Sequence, residues 1–87
     1  TVRKETRKLY FNLLKNSECV DCGNNNPLVL EFDHKDGVDK YNTIGTLVGN
    51  GTTWKNIKKE IDKCDIRCAN CHRIRTAKQL NWYQDLL

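Results

Sequence analysis

The chain has no methionine, a single proline and only two histidines among its 87 residues, and no apolar run long enough to cross a bilayer. The lack of an apolar run excludes a membrane-spanning helix, and the lack of an apolar opening segment argues against a secretory signal. A first residue of Thr1 in a chain without methionine leads to the expectation of a processed or excised piece of a longer protein. No internal repeat and no low-complexity tract interrupts the sequence, so one domain over residues 1–87 is expected. Cysteine is present but odd in number: five residues fit poorly with a complete disulfide framework and fit a reducing cytoplasm better.

A chain this short buries little more than ~60% of the surface its unfolded form exposes, so its core alone is marginal. A bound metal is the reinforcement its cysteines suggest. Cys19-x-x-Cys22 and Cys68-x-x-Cys71 are two CxxC pairs. Each pair lets one tight turn aim two thiolates at a single ion, and two pairs complete the tetrahedral sulfur shell that structural Zn²⁺ prefers. The interval between the pairs holds Asp33-His34, and His72 directly follows Cys71. A shared zinc would carry His72 toward Asp33 and His34.

Fifteen Lys and Arg against eleven Asp and Glu give a modest net charge of +4, but the distribution is uneven. Residues 1–15 hold Arg3, Lys4, Arg7, Lys8 and Lys15 against Glu5, and residues 72–78 hold Arg73, Arg75 and Lys78 with no acid. Such stretches fit a polyanion partner as well as plain solvated helix faces. Arg73, Arg75, Lys78 and Lys63 are the candidate phosphate contacts.

Helical spacing of Val2, Thr6, Leu9, Tyr10, Leu13 and Leu14 predicts an amphipathic helix over 2–16. Residues 17–26 read as a knuckle closed by Gly23, with turn residues Asn24 to Pro27 after it. Residues 28–34 alternate as a strand with Leu28, Leu30 and Phe32 on one face and Glu31 and Asp33 on the other. Asp36-Gly37 reads as a turn, and residues 39–53, with three glycines, read as a loop. Trp54, Ile57 and Ile61 predict a helix over 54–63 capped by Thr53, and Cys64 falls on the same apolar stripe. Residues 65–67 fit a return strand. A last helix is expected from about Cys71, capped by Asn70, with Ile74, Ala77 and Leu80 as its inner edge.

Taken together, Cys19-x-x-Cys22-Gly23, Phe32-Asp33-His34-x-Asp36-Gly37 and Cys68-Ala69-Asn70-Cys71-His72-Arg73 resemble the HNH endonuclease family. More narrowly, they resemble its small phage-encoded and prophage-encoded members with a four-cysteine zinc cluster. The resemblance implies an α+β fold built on the ββα-metal (His-Me finger) motif, clasped by zinc over residues 19–76 and flanked by helices. It implies His34 as general base, and Asp33 and His72 as ligands of a catalytic divalent ion, Mg²⁺ or Mn²⁺. The implied substrate is DNA, nicked or cut through both strands to 5′-phosphate and 3′-hydroxyl ends. The implied setting is a bacterial host cytoplasm beside phage packaging proteins, with no membrane. One position departs from the pattern: family members often carry an asparagine nine residues before the helix histidine, where it orients the base, and this chain has Lys63 there. Asn42, Asn50, Asn56 and Asn70 are the substitutes, Asn50 from a loop that could fold back and Asn70 beside its reading as a cap. The competing expectation is a non-catalytic zinc module that binds nucleic acid.

Overall fold

The computed structural model describes residues 2–86, the side chain of Val2 excepted. Thr1, Leu87 and the Val2 side chain, all within the expected helix and domain ranges, lie outside the described residues. The elements run α1 (Val2–Lys15), β1 (Leu30–His34), α2 (Ile44–Gly49), α3 (Trp54–Ile61), β2 (Cys64–Cys68) and α4 (Ala69–Gln79), an α+β arrangement. No helix among them is long and apolar enough to cross a membrane.

The strands pair antiparallel, from Leu30 opposite Cys68 to His34 opposite Cys64. The return strand is therefore present, two residues longer than its expected 65–67. This register sets the geometry of everything that follows. It places both CxxC pairs at one end of the ribbon and His34 at the other, with Asp33 facing Asp65 between them. The chain needs a positive φ to leave the first knuckle, and Gly23 supplies it at +78°. Val20 then donates its amide to the Ile66 carbonyl at 2.9 Å, fastening the knuckle to β2.

The core has two parts. Leu14, Cys19, Leu30 and Cys68 are buried together beneath the knuckles. Ile44, Leu47, Val48, Ile57 and Ile61 form the larger part, and Tyr10 and Phe32 bridge the two with ring centroids 5.6 Å apart.

Residues 39–53, expected as a loop, contain α2, which supplies three of the five buried residues of the larger cluster. Ile44, Leu47 and Val48 follow helical spacing, but Gly45 and Gly49 occupy its solvent side and mask the period. The Thr43 side chain caps the helix by accepting from the Thr46 amide.

Three other expectations are corrected. Leu28 lies before β1 in a turn and is exposed, so the apolar face of the strand begins at Leu30. Helix α4 starts at Ala69 with Cys68 as its cap, leaving Asn70 an exposed residue inside the first turn. Of the expected inner edge of α4, Ala77 is half-buried but Ile74 and Leu80 face solvent. The side of α4 that packs inward carries Cys71, His72, Arg75 and Thr76, all half-buried. Cys71 packs against the smaller core cluster, and polar contacts from His72 and Arg75 to Glu31 and Asp33 hold the rest of this face to β1.

Candidate metal centre and active site

The four sulfurs of Cys19, Cys22, Cys68 and Cys71 lie within 4.8 Å of one another. The Cys22 and Cys68 sulfurs are 3.7 Å apart. Four sulfurs placed ~2.3 Å from a central zinc would be roughly 3.8 Å apart, so this spacing matches a tetrahedral shell. The local fold explains the convergence: Gly23 donates to the Cys19 carbonyl at 2.9 Å to close one turn, and the first turn of α4 closes the other.

Burial pushes the Cys19 thiol up, but hydrogen bonds from the Cys68, Cys22 and Asp21 backbone outweigh it and hold the thiol down to about 6. Cys71 is pushed up to about 12, first by its contact with the Cys68 sulfur and then by burial. The contacts among the sulfurs and the turn amides thus shift Cys19 and Cys71 in opposite directions. The arrangement can hold a metal such as zinc. Cys64 lies outside this group, half-buried against the larger core with its thiol pushed up to about 11 by burial.

Asp33 and His72 meet between the ribbon and α4, with Asp33 Oδ1 3.4 Å from His72 Nε2. Asp33 is 6% exposed. The other imidazole nitrogen, Nδ1, lies 2.7 Å from Glu31 Oε1. The ring thus stands between two carboxylates, Glu31 at Nδ1 and Asp33 at Nε2. A ring that donates Nδ1–H to Glu31 would turn its Nε2 lone pair toward Asp33. Two guanidiniums already approach the same carboxylate. Arg75 Nη1 donates to both Asp33 oxygens at 3.0 Å, and Arg67 Nη1 donates to Oδ2 at 3.1 Å. An ionised carboxylate has about four acceptor positions, so a cation at Oδ1 would share Asp33 with the arginines.

His34 ends β1 and turns its ring toward α3, where Nε2 lies 2.7 Å from Glu60 Oε2. The Tyr41 amide donates to the same oxygen at 3.0 Å, and Lys63 Nζ donates to Oε1 at 2.9 Å. Burial pushes the Glu60 carboxyl up, but the hydrogen bonds from Lys63, His34 and Tyr41 outweigh it and hold it down to about 2. An ionised Glu60 can only accept, so Nε2 carries the proton and the neutral ring presents Nδ1 as its acceptor.

The structure therefore brings Asp33 and His72 together against α4, while the His34 ring, at the end of the same strand, turns to Glu60 on α3. Among the described residues, no hydrogen bond joins Asn50 or Asn70 to the His34 ring. Asn50 is the exposed C-cap of α2, and Asn70 is exposed on α4. The partner of that ring is Glu60, which the sequence reading missed. Its signal was legible: Glu60 shares the inner stripe of α3 with Ile57 and Ile61, and a buried carboxylate there demands partners. Lys63 is one of those partners, and its ammonium also donates to the Asp39 carbonyl at 2.7 Å. Of the other expected phosphate contacts, Arg75 is held by Asp33 and Asp36, Arg73 stacks over the Trp82 ring at 5.1 Å, and Lys78 is exposed.

Comparison of the chain with protein-family models, with curated proteins and with solved structures gives no match, so its chemistry is read from its own geometry.

Proposed function

We propose that this protein is a metal-dependent phosphodiester hydrolase. The observation that carries the reading is the paired arrangement at the β1 exit. A carboxylate and an imidazole nitrogen face each other at 3.4 Å, and the His34 ring that ends the same strand has its Nε2 on Glu60 and Nδ1 left to accept a proton. The more particular reading is a DNA endonuclease of the HNH class, with zinc on the four cysteines clasping residues 19–76.

A phosphodiester resists anionic attack, so its hydrolysis needs hydroxide made in place and charge taken up at the phosphate. His34 Nδ1 takes the proton from water, and Glu60 across Nε2 stabilises the imidazolium that results. Asp33 and His72 would hold Mg²⁺ or Mn²⁺, which supplies the charge neutralisation when bound. Glu31 keeps His72 in the tautomer that presents Nε2. The zinc clasp acts at a distance: it fixes the start of α4 against β1 and so sets where His72 stands.

A second reading rests on a separate observation, the two arginines on Asp33. That carboxylate can serve as an ion-pair hub joining α4 to the ribbon, as it would in a zinc module that binds nucleic acid without cutting it. Plasmid nicking separates the two. With zinc bound and Mn²⁺ or Mg²⁺ added, supercoiled plasmid should convert to open circle. His34→Ala should keep its zinc and its DNA affinity and lose cleavage. Cleavage by that variant at the native rate rejects His34 as the base, and no cleavage by the native protein favours the non-catalytic module.

A further inference from the structure

The geometry points to the basic face of α1, across the groove it forms with α2, as the surface along which a nucleic-acid strand leaves the β1 exit. The groove has a volume of about 660 Å³ and is lined by Lys4, Arg7, Lys8 and Phe11 from α1 and by Gly45 and Gly49 from α2. None of its lining residues is acidic. A smaller depression, lined by Glu31, His72 and Thr43 among others, shares Tyr10 and Gly45 with it. The two depressions thus meet at Tyr10 and Gly45, between the His72 edge of the candidate site and the first turns of α1. At ~1.5 Å per residue, the step from Tyr10 back to Lys4 is about 9 Å along the helix.

Three features of the groove fit a nucleic-acid strand. Arg7 and Lys8 are exposed, whereas Arg75 and Lys63 are already neutralised by acids. Phe11 is 46% exposed beside them, giving a flat ring on which a base can stack between phosphate contacts. Gly45 and Gly49 have no atom within 4 Å of where a Cβ would stand, and neither has a positive φ. Glycine inside a helix costs roughly 0.5–1 kcal/mol relative to alanine, and nothing within the molecule requires it at these two positions. A ligand lying close to the α2 backbone would require it.

That the strand is the substrate of the site rests on the reading given under Proposed function; the groove as a nucleic-acid surface does not. Binding of a fluorescein-labelled DNA duplex, and of the same strand alone, is measured by anisotropy on the zinc-loaded protein without added Mg²⁺ or Mn²⁺. Arg7→Ala/Lys8→Ala should weaken binding about tenfold and flatten the dependence of log K on log salt by about 1.8 for duplex or 1.4 for single strand. Lys55→Ala/Lys58→Ala, removing equal charge from α3, should leave both nearly unchanged. Equal effects from the two pairs overturn the inference, as does the absence of DNA binding or tighter binding of polyglutamate than of DNA. If the native protein fails to nick plasmid while the α1 pair selectively weakens binding, the surface stands and the hydrolase reading falls. If it nicks and the α1 pair changes nothing, the reverse holds.

Discussion

Replacing Glu60 by glutamine removes one charge and almost no volume, which makes it the sharpest probe of the His34 site. The amide oxygen of glutamine can still accept from His34 Nε2 and from the Tyr41 amide. Its NH₂ group then faces Lys63, whose ammonium is one third exposed and can swing toward solvent and the Asp39 carbonyl. Ring position and tautomer are therefore kept. The loss falls on the imidazolium that forms when His34 takes a proton. A hydrogen bond involving a charged group contributes about 1.5–3 kcal/mol against about 0.5–1.5 for a neutral one. The difference, a little over ~1 kcal/mol, corresponds to roughly a tenfold slower turnover. Glu60→Ala goes further, leaving His34, Tyr41 and Lys63 without their common acceptor. The ring is then free to turn, and the loss should approach the ~10²–10⁴ that a positioned base contributes. The assay is single-turnover plasmid nicking at saturating Mn²⁺, with zinc content and DNA affinity as controls and ¹⁵N shifts of the imidazole reporting the tautomer. A Glu60→Gln rate within about twofold of native, or equal rates for the glutamine and alanine variants, would refute this account of His34.

Other outcomes follow from the same geometry. Cys68→Ser removes a sulfur that also lies at the α4 cap, and should release about one equivalent of zinc. Structural zinc supplies ~10–16 kcal/mol against a typical total stability of ~5–15, so this variant should be unfolded by circular dichroism at ordinary temperature. Unchanged zinc content and melting would exclude the four-cysteine site. Acid should act on Glu60 in a defined window. Its folded pKa of about 2 lies below the ordinary value of 4.5, so it stabilises the native state above the higher value. That contribution is lost as pH falls toward 2. Glu60→Gln should therefore show a shallower loss of melting temperature across that window than the native chain, and parallel curves would show that Glu60 contributes nothing there.

The two strands around the Asp33-His34 step, the terminal helices and the four-sulfur cluster were legible because each follows from local pattern. A CxxC pair is a turn with two donors whatever surrounds it, and alternation or helical spacing reports which face is buried. Helix α2 was not legible, since Gly45 and Gly49 lower helix propensity and break its pattern while the buried residues between them do the packing. The polar face of α4 was missed for the opposite reason. Ile74 and Leu80 obey a helical apolar pattern, yet the neighbour across the interface is the charged edge of β1, and His72 and Arg75 pack there instead.

The sequence by itself determined which chemistry-capable side chains are present and in what order: four cysteines able to share an ion, one Asp-His step, and one histidine tied to the second cysteine pair. Only the tertiary structure decided how they are oriented. The antiparallel register put Glu31 and Asp33 against α4, so that one histidine nitrogen is held and the other faces Asp33. The packing of α3 brought Glu60 to His34 across 26 positions of sequence, in the place where Lys63 breaks the expected pattern. A side chain's identity is local, but the direction of its lone pairs depends on neighbours that only folding brings within hydrogen-bond distance.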